Sequence, residues 1–167
     1  MKFVNPKNDV AFRKIFGSAD KTNILIGFLN AVLNLKEEKI IQSVQILNPY
    51  QTPKLEKLKT TILDVRATDK RGITFIVEMQ IAYTTGIRKR FTYYTAKGYA
   101  SQIERGEDYP KLNQVIFIGL LDFKLFTGKK ATKHYLSRHH ILDTATHQQE
   151  FKDLEMNFIE LPYPLQI

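Results

Sequence analysis

The stretch "ILDVRATDKRGITFIVEMQ", residues 62–80, consists of two runs of alternating residue types around the tripeptide KRG at 70–72. Period-two alternation on both sides of a short loop that contains glycine predicts a β-hairpin. Asp64, Glu78 and Gln80 are among the polar residues of these two runs. Charged groups on covered strands raise the free energy unless solvent, a salt bridge or a metal ion pairs with them. The hairpin is therefore the first candidate for a functional site.

The length of the loop predicts which residues of the hairpin face each other. A three-residue loop with Gly72 at positive φ pairs Asp69 with Ile73, and so pairs Asp64 with Glu78. Opposed Cβ atoms in such a pair lie about 5 Å apart, and carboxylates that close repel unless one is protonated or a cation lies between them. Strand alternation also predicts one shared apolar face, formed by Leu63, Val65, Ala67, Ile73, Phe75, Val77 and Met79.

The opposed acids have two interpretations. In the first, a divalent ion lies between them, since Mg²⁺ is often held by one or two carboxylates together with water and phosphate oxygens. In the second, the polar face is exposed and Asp64 pairs with Arg66 or Lys59. The spacing by itself leaves both interpretations open.

The remainder of the chain predicts an α/β protein. Apolar residues at helical spacing predict helices at 9–17, 20–35 and 85–105. Runs rich in β-branched residues predict strands at 40–50 and 113–123, with two more around 139–143 and 155–161. A helix between the hairpin and an apolar strand is typical of a crossover, so we expect a central mixed β-sheet flanked by helices.

Composition limits the classes of function. The chain has 167 residues, with 25 Lys and Arg against 17 Asp and Glu, and no cysteine. Disulfides, thiolate zinc sites and a cysteine nucleophile are therefore excluded, and a formal charge of +8 favours a polyanionic partner. No apolar run is long enough to span a bilayer, and the N-terminus becomes polar too early for a signal peptide. We therefore expect a cytoplasmic protein whose partner is nucleic acid and not a membrane.

Four segments, in this order, carry a resemblance to one nuclease family: "NPKNDVAFRKIFG", the hairpin, "RKRFTYYTAKGYASQIERGEDYPKLNQVIFIGLLDF" and the late "FIEL". Together they resemble the Rpn family of recombination-promoting nucleases and transposases, within the PD-(D/E)XK nuclease superfamily. The resemblance covers nearly the whole chain and implies a single restriction-endonuclease-like domain over residues 1–167. It implies a DNA endonuclease of recombination or mobile elements that uses Mg²⁺ or Mn²⁺, and it allows a homodimer.

The resemblance also assigns roles to residues of the hairpin. Asp64 and Glu78 would be the metal ligands and catalytic acids, and the backbone carbonyl of Met79 would complete the ligand shell. Gln80 stands where the wider superfamily has lysine, although it matches the narrower family. A neutral amide can position water through hydrogen bonds, but it carries no charge. Asp9 would be an outer metal contact, or else a group that stabilises the start of the first helix by capping and through the helix dipole.

Cations and tyrosines after the hairpin are the candidate DNA-binding residues. Arg88, Lys89 and Arg90 fall in the first turns of the predicted helix, where the helix dipole disfavours positive charge. Phosphate binding would explain them, and so would a solvated helix face. Further along, Tyr94, Lys97 and Gln102 have near-helical spacing and would line one side of a cleft, although tyrosines at such spacing also pack in cores. The resemblance favours Tyr94 and Gln102.

The histidines and the end of the sequence suggest two other interpretations. The four histidines lack an H-E-x-x-H pattern, which favours surface positions over a zinc site at His134, His139, His140 and His147. The alternative function is a catalytically inactive or truncated relative that binds nucleic acid or a protein partner. It is motivated by the end of the sequence, because family members commonly carry a helical extension after "FIEL" and this sequence stops at "LPYPLQI".

Overall fold

The computed structural model describes residues 5–51, 61–128, 131 and 134–162. Its α-helices are α1 (Asp9–Phe16), α2 (Thr22–Leu33) and α3 (Ile87–Ala100). Its strands are β1 (Val44–Ile46), β2 (Tyr50–Gln51), β3 (Thr61–Ile62), β4 (Val65–Asp69), β5 (Thr74–Gln80), β6 (Val115–Leu121), β7 (Leu136–His140) and β8 (Leu154–Glu160). Residues 52–60, which include Lys59, lie outside the described residues.

Six of these strands form one mixed sheet in the order β1-β4-β5-β6-β8-β7. The pairs β1–β4, β4–β5 and β7–β8 are antiparallel, whereas β5–β6 and β6–β8 are parallel. A parallel pair needs a crossover connection, and α3 provides it between β5 and β6. The predicted α/β fold, with a central mixed sheet flanked by helices, is confirmed. Strands β2 and β3 form a separate two-stranded sheet.

Apolar clusters cover both faces of the sheet. One cluster joins α1 and α2 to the sheet through Phe12, Leu25, Leu29, Phe75 and Val77. The other joins α3 to the opposite face through Ile87, Phe91, Ile76, Val115 and Phe117. Because successive residues of a strand point to opposite faces, β5 supplies Phe75 and Val77 to one cluster and Ile76 to the other. This double cover explains why three consecutive residues of β5, Phe75 to Val77, are apolar and why Glu78 is shielded from water.

The register predicted for the hairpin is confirmed. Val65 pairs with Val77, which places Asp64 opposite Glu78 one step further along. Gly72 has a φ of 82°, the left-handed conformation that the three-residue loop requires.

The shared apolar face, however, was predicted wrongly at Leu63. Its side chain packs in the α3 cluster, whereas Val65 and Ala67 pack in the cluster on the other face. The reason is that β4 begins only at Val65. The Leu63 amide instead donates to the Pro49 carbonyl at 3.0 Å, outside the β4–β5 ladder.

The strand predicted at 40–50 is shorter than expected. Only Val44–Ile46 joins the large sheet. Ile41 is held to α2, because its amide donates to the Asn30 Oδ1 atom at 2.8 Å and its carbonyl accepts from Asn30 Nδ2 at 2.9 Å. The side chain of Asn30 thus replaces a strand partner at this position.

The long helix predicted at 85–105 is also shorter, because α3 starts after the left-handed Gly86 and ends at Ala100. Among the described residues, no helix combines the length and the apolar character that crossing a membrane requires.

Candidate active site

A cleft of about 360 Å³ lies at the end of the hairpin opposite its turn. Three elements meet there that are far apart in sequence. Helix α1 contributes Asp9 and Arg13, the hairpin contributes Asp64, Glu78, Met79 and Gln80, and α3 contributes Arg90 and Tyr94.

The two acids of the hairpin are in direct contact. Asp64 is 8% exposed and Glu78 is 3% exposed. The Asp64 amide donates to Glu78 Oε1 at 2.9 Å, and the Met79 amide donates to Asp64 Oδ2 at 2.9 Å. Each carboxylate is therefore fixed by the backbone of the other strand.

This environment disfavours two negative charges. Burial, and then the negative charge of Asp64, raises the pKa of Glu78 to about 8. The Asp64 amide, Arg90 and Arg13 act in the opposite direction with smaller effects. A pKa of about 8 favours the protonated form of Glu78 at neutral pH.

Arg13 is a cleft residue that was not among the predicted site residues. Its Nε and Nη2 atoms both donate to Asp64 Oδ1 at 3.0 Å. Among the described residues the ion-pair partner of Asp64 is thus Arg13, whereas Arg66, one of the two partners considered, makes no such contact. The signal was available, because Arg13 follows Asp9 by four residues and shares its helix face.

Gln80 connects Glu78 to α3. Its Nε2 atom lies 3.4 Å from Glu78 Oε2, and its Oε1 atom accepts a hydrogen bond from Arg90 Nη2. Tyr94 lines the same cleft, and burial followed by the charge of Glu78 raises the pKa of its phenol. The neutral amide of Gln80 is therefore hydrogen-bonded to the permanently charged guanidinium of Arg90.

Asp9 lies at the cleft but does not complete a cluster of three acids. In the part of the chain that the structure describes, no group of three or more His, Cys, Asp or Glu side chains is arranged to hold a metal. Nor does Asp9 cap α1, since the Asn8 side chain accepts from the amides of Val10 and Ala11. Asp9 occupies the first turn, where its charge favours the helix dipole.

A second cavity, of about 510 Å³, adjoins the cleft at the start of α3. The two share Thr84, Arg90 and Tyr94. Lys89 and Tyr93 line only the second cavity, which therefore offers a cation and an aromatic ring beside the acids.

The other predicted DNA-binding residues line neither cavity. Arg88 donates to the Leu125 carbonyl and lies 5.4 Å from the centre of the Phe126 ring. Lys97 donates to the Gln51 carbonyl at 2.6 Å, next to the second cavity. Gln102 joins the end of α3 to β6, because its side chain bonds both the amide and the carbonyl of Asn113, at 2.8 and 2.9 Å.

The histidines do not form a metal site among the described residues. His134, His140 and His147 are exposed, as predicted. His139 is only partly exposed, because its ring stacks on Phe126 at 5.1 Å and contacts Phe158 edge-on at 5.4 Å. Burial, and then the charge of His140, lowers its pKa.

Comparison with known proteins gives one result. A family model described as PD-(D/E)XK nuclease family transposase matches residues 6–165, a range that contains all the cleft residues named above. No curated protein and no solved structure shows significant similarity to the chain.

Proposed function

The chain belongs to the PD-(D/E)XK nuclease family transposases, and from that premise we propose that it is a divalent-metal-dependent DNA endonuclease of recombination or mobile elements. The observation that carries the proposal is a pair of buried acids, Asp64 and Glu78, each held by a backbone amide of the opposite strand in a cleft bordered by arginines. A catalytically inactive member would retain the fold without needing this pair.

The donor set of the cleft fits Mg²⁺ or Mn²⁺. Two adjacent buried acids, with the pKa of Glu78 raised by burial and by the charge of Asp64, form an environment that a divalent cation would stabilise. All candidate ligands are oxygens, from Asp64, Glu78 and the Met79 carbonyl, as these hard ions prefer. Asp9 lines the same cleft and would be an outer contact of the ion. When bound, the ion would supply Lewis-acid stabilisation of the phosphodiester and acidify a water molecule.

The chain's own residues would orient the nucleophile and the strand. Gln80 is held between Glu78 and Arg90, so its amide has a fixed orientation from which to position a water molecule. Arg90 carries the positive charge that the superfamily lysine would otherwise provide, and it would stabilise the negative charge that develops on phosphate. Lys89, Tyr93 and Tyr94 extend this surface along the neighbouring cavity, where the flanking DNA would lie.

The second candidate function is binding without cleavage. It is favoured by Gln80, because an amide cannot carry the charge of the superfamily lysine. DNA binding by the wild-type protein, with no cleavage at any concentration of Mg²⁺ or Mn²⁺, would establish this alternative.

Two further expectations remain part of the proposal. A cytoplasmic location and an association with recombination follow from composition and family. A homodimer finds no support in the described residues, and the proposed activity does not require one.

The test is cleavage of plasmid and linear DNA with Mg²⁺ or Mn²⁺ by the wild type and by Asp64→Asn. We expect the substitution to reduce the rate about a hundredfold or more, because it removes a ligand charge while keeping the shape of the side chain. Asp122→Asn is the matched control, since Asp122 pairs with Lys7 at 2.6 Å and does not line the cleft. Equal residual cleavage by the wild type and Asp64→Asn would show that the activity does not arise in this cleft.

A further inference from the structure

Arg13 is a charged residue of the cleft to which the proposed mechanism gives no role. It lies on α1, and its side chain is 47% exposed although it contacts an almost fully buried carboxylate. Its two donors bind a single oxygen, Asp64 Oδ1, whereas Oδ2 is held by the Met79 amide. The two oxygens of Asp64 are therefore held in different ways, one by a side chain and the other by the backbone.

The backbone contact is fixed by the sheet, but the side-chain contact can be exchanged. Met79 belongs to β5 and pairs with Leu120 of β6, so the position of its amide is fixed by that ladder. Arg13 can leave by rotation of a half-exposed side chain. Because two donors of Arg13 already bind Oδ1, a cation that binds the same oxygen would compete with the guanidinium.

Resting on the proposed function, we propose that Arg13 is a positioning residue that exchanges the Asp64 carboxylate for a phosphate of the DNA strand. In the metal-free cleft Arg13 neutralises Asp64 and so limits the repulsion between the two acids. When a divalent ion binds Asp64, the guanidinium is released at the rim of the cleft. There it would donate to a phosphate oxygen of the strand that enters.

The chemistry of the side chain fits both partners. A guanidinium is planar and permanently charged, and it presents paired donors that match a carboxylate or a phosphate equally well. The exchange therefore replaces one charge-assisted contact by another. Metal and DNA would then bind cooperatively, because the ion displaces Arg13 from Asp64 and the phosphate keeps Arg13 away from it.

The experiment compares Arg13→Gln with Lys14→Gln. Both remove one positive charge from neighbouring exposed positions of α1, but only Arg13 lines the cleft. Binding of Mn²⁺ and Mg²⁺ without DNA is measured by calorimetry. We expect Arg13→Gln to bind the ion about fivefold more tightly than the wild type, as loss of a half-exposed ion pair allows. Lys14→Gln should change the affinity for the ion less than about twofold, because it alters only the long-range electrostatic potential, which salt screens.

DNA binding is then measured in Ca²⁺, with the integrity of the DNA checked on a gel. Here Arg13→Gln should bind about tenfold more weakly than Lys14→Gln, since a charge-assisted phosphate contact is lost. Arg13→Lys keeps the charge but loses the paired donors, and it should be intermediate in both measurements. This variant also keeps the test available if Arg13→Gln does not fold.

The outcomes separate this inference from the proposed function. If Arg13→Gln binds the ion no more tightly than the wild type, or both glutamine variants change affinity alike, the exchange is wrong even when the wild type cleaves DNA. If neither the wild type nor Arg13→Gln binds a divalent ion, the proposed function itself fails. Tighter ion binding together with weaker DNA binding, confined to Arg13, supports the exchange.

Discussion

At the scale of single residues, the site is organised by the cost of burying two acids side by side. Glu78 is almost fully buried and accepts a hydrogen bond from the Asp64 amide, and burial together with the charge of Asp64 raises its pKa. Arg13 and Arg90 approach the pair from opposite helices, the first directly and the second through Gln80. Binding of a divalent ion would therefore compete with the Arg13 contact to Asp64 and with protonation of Glu78.

This balance makes stability depend on pH in a defined direction. The pKa of Glu78 is raised from an ordinary value of 4.5 to about 8, so between these pH values the folded chain holds a proton that the unfolded chain has released. The free energy of unfolding should therefore fall as the pH rises through this window. As the pH rises through this window, we expect the free energy of unfolding of the wild type to fall by about 1–3 kcal/mol more than that of Glu78→Gln. The glutamine has no carboxyl group to titrate.

The measurement is urea denaturation of both proteins in EDTA at pH 5, 6, 7 and 8. Parallel pH profiles for the wild type and Glu78→Gln would contradict the raised pKa.

At the scale of elements, the hairpin turn decides whether the acids meet. A one-residue change of register would move one acid to the other face of the sheet. Gly72 fixes the register through its positive φ, and an added Cβ would lie 2.8 Å from the Asn113 side chain. Asn113 is in turn held by Gln102, so the turn, α3 and β6 are secured at one point.

We therefore expect Gly72→Ala to destabilise the protein more than Gly106→Ala. Both glycines have positive φ, of 82° and 89°, but nothing lies within 4 Å of a Cβ placed at Gly106. Gly106→Ala should cost about 1 kcal/mol of unfolding free energy from backbone strain alone, and Gly72→Ala about 2 kcal/mol because Asn113 must also shift. Denaturant titration gives both values, and equal losses would show that the contact with Asn113 does not constrain the turn.

At the scale of the whole molecule, the cleft forms where the two helical layers approach one end of the sheet. Cations from α1 and α3 border it, and a second cavity extends it past Lys89 and Tyr93. The formal charge of +8 attracts DNA in general, but the cavities determine which cations contact it.

The salt dependence of DNA binding tests this distinction. Lys89 lines the second cavity, whereas Lys70 is an exposed lysine in the hairpin turn, at the far end of β4 and β5. Lys89→Gln should lower the slope of log K against log [salt] by about 0.9, the value for one phosphate contact, and Lys70→Gln should leave it unchanged. Filter binding over a range of NaCl concentrations provides both slopes, and a smaller slope for Lys70→Gln alone would place the DNA elsewhere.

Local rules were sufficient for much of this protein. The alternation in the hairpin, its loop length and Gly72 determined the register, and with it the contact between Asp64 and Glu78. The order of elements likewise determined the mixed sheet. These features depend on neighbours in sequence, where steric rules for turns and strand periodicity are strong.

Only the tertiary structure decided which side chains reach the cleft. Arg13 is 51 residues from Asp64 along the chain, and no local rule pairs them. Arg88 and Arg90 are two residues apart on one helix, yet one contacts Leu125 and the other contacts Gln80, because α3 presents different faces to its neighbours. Leu63 changed face because its strand begins later than the alternation indicated. The sequence by itself thus determined that two acids would meet in the hairpin, whereas the packing of α1 and α3 against the sheet decided which cations would surround them.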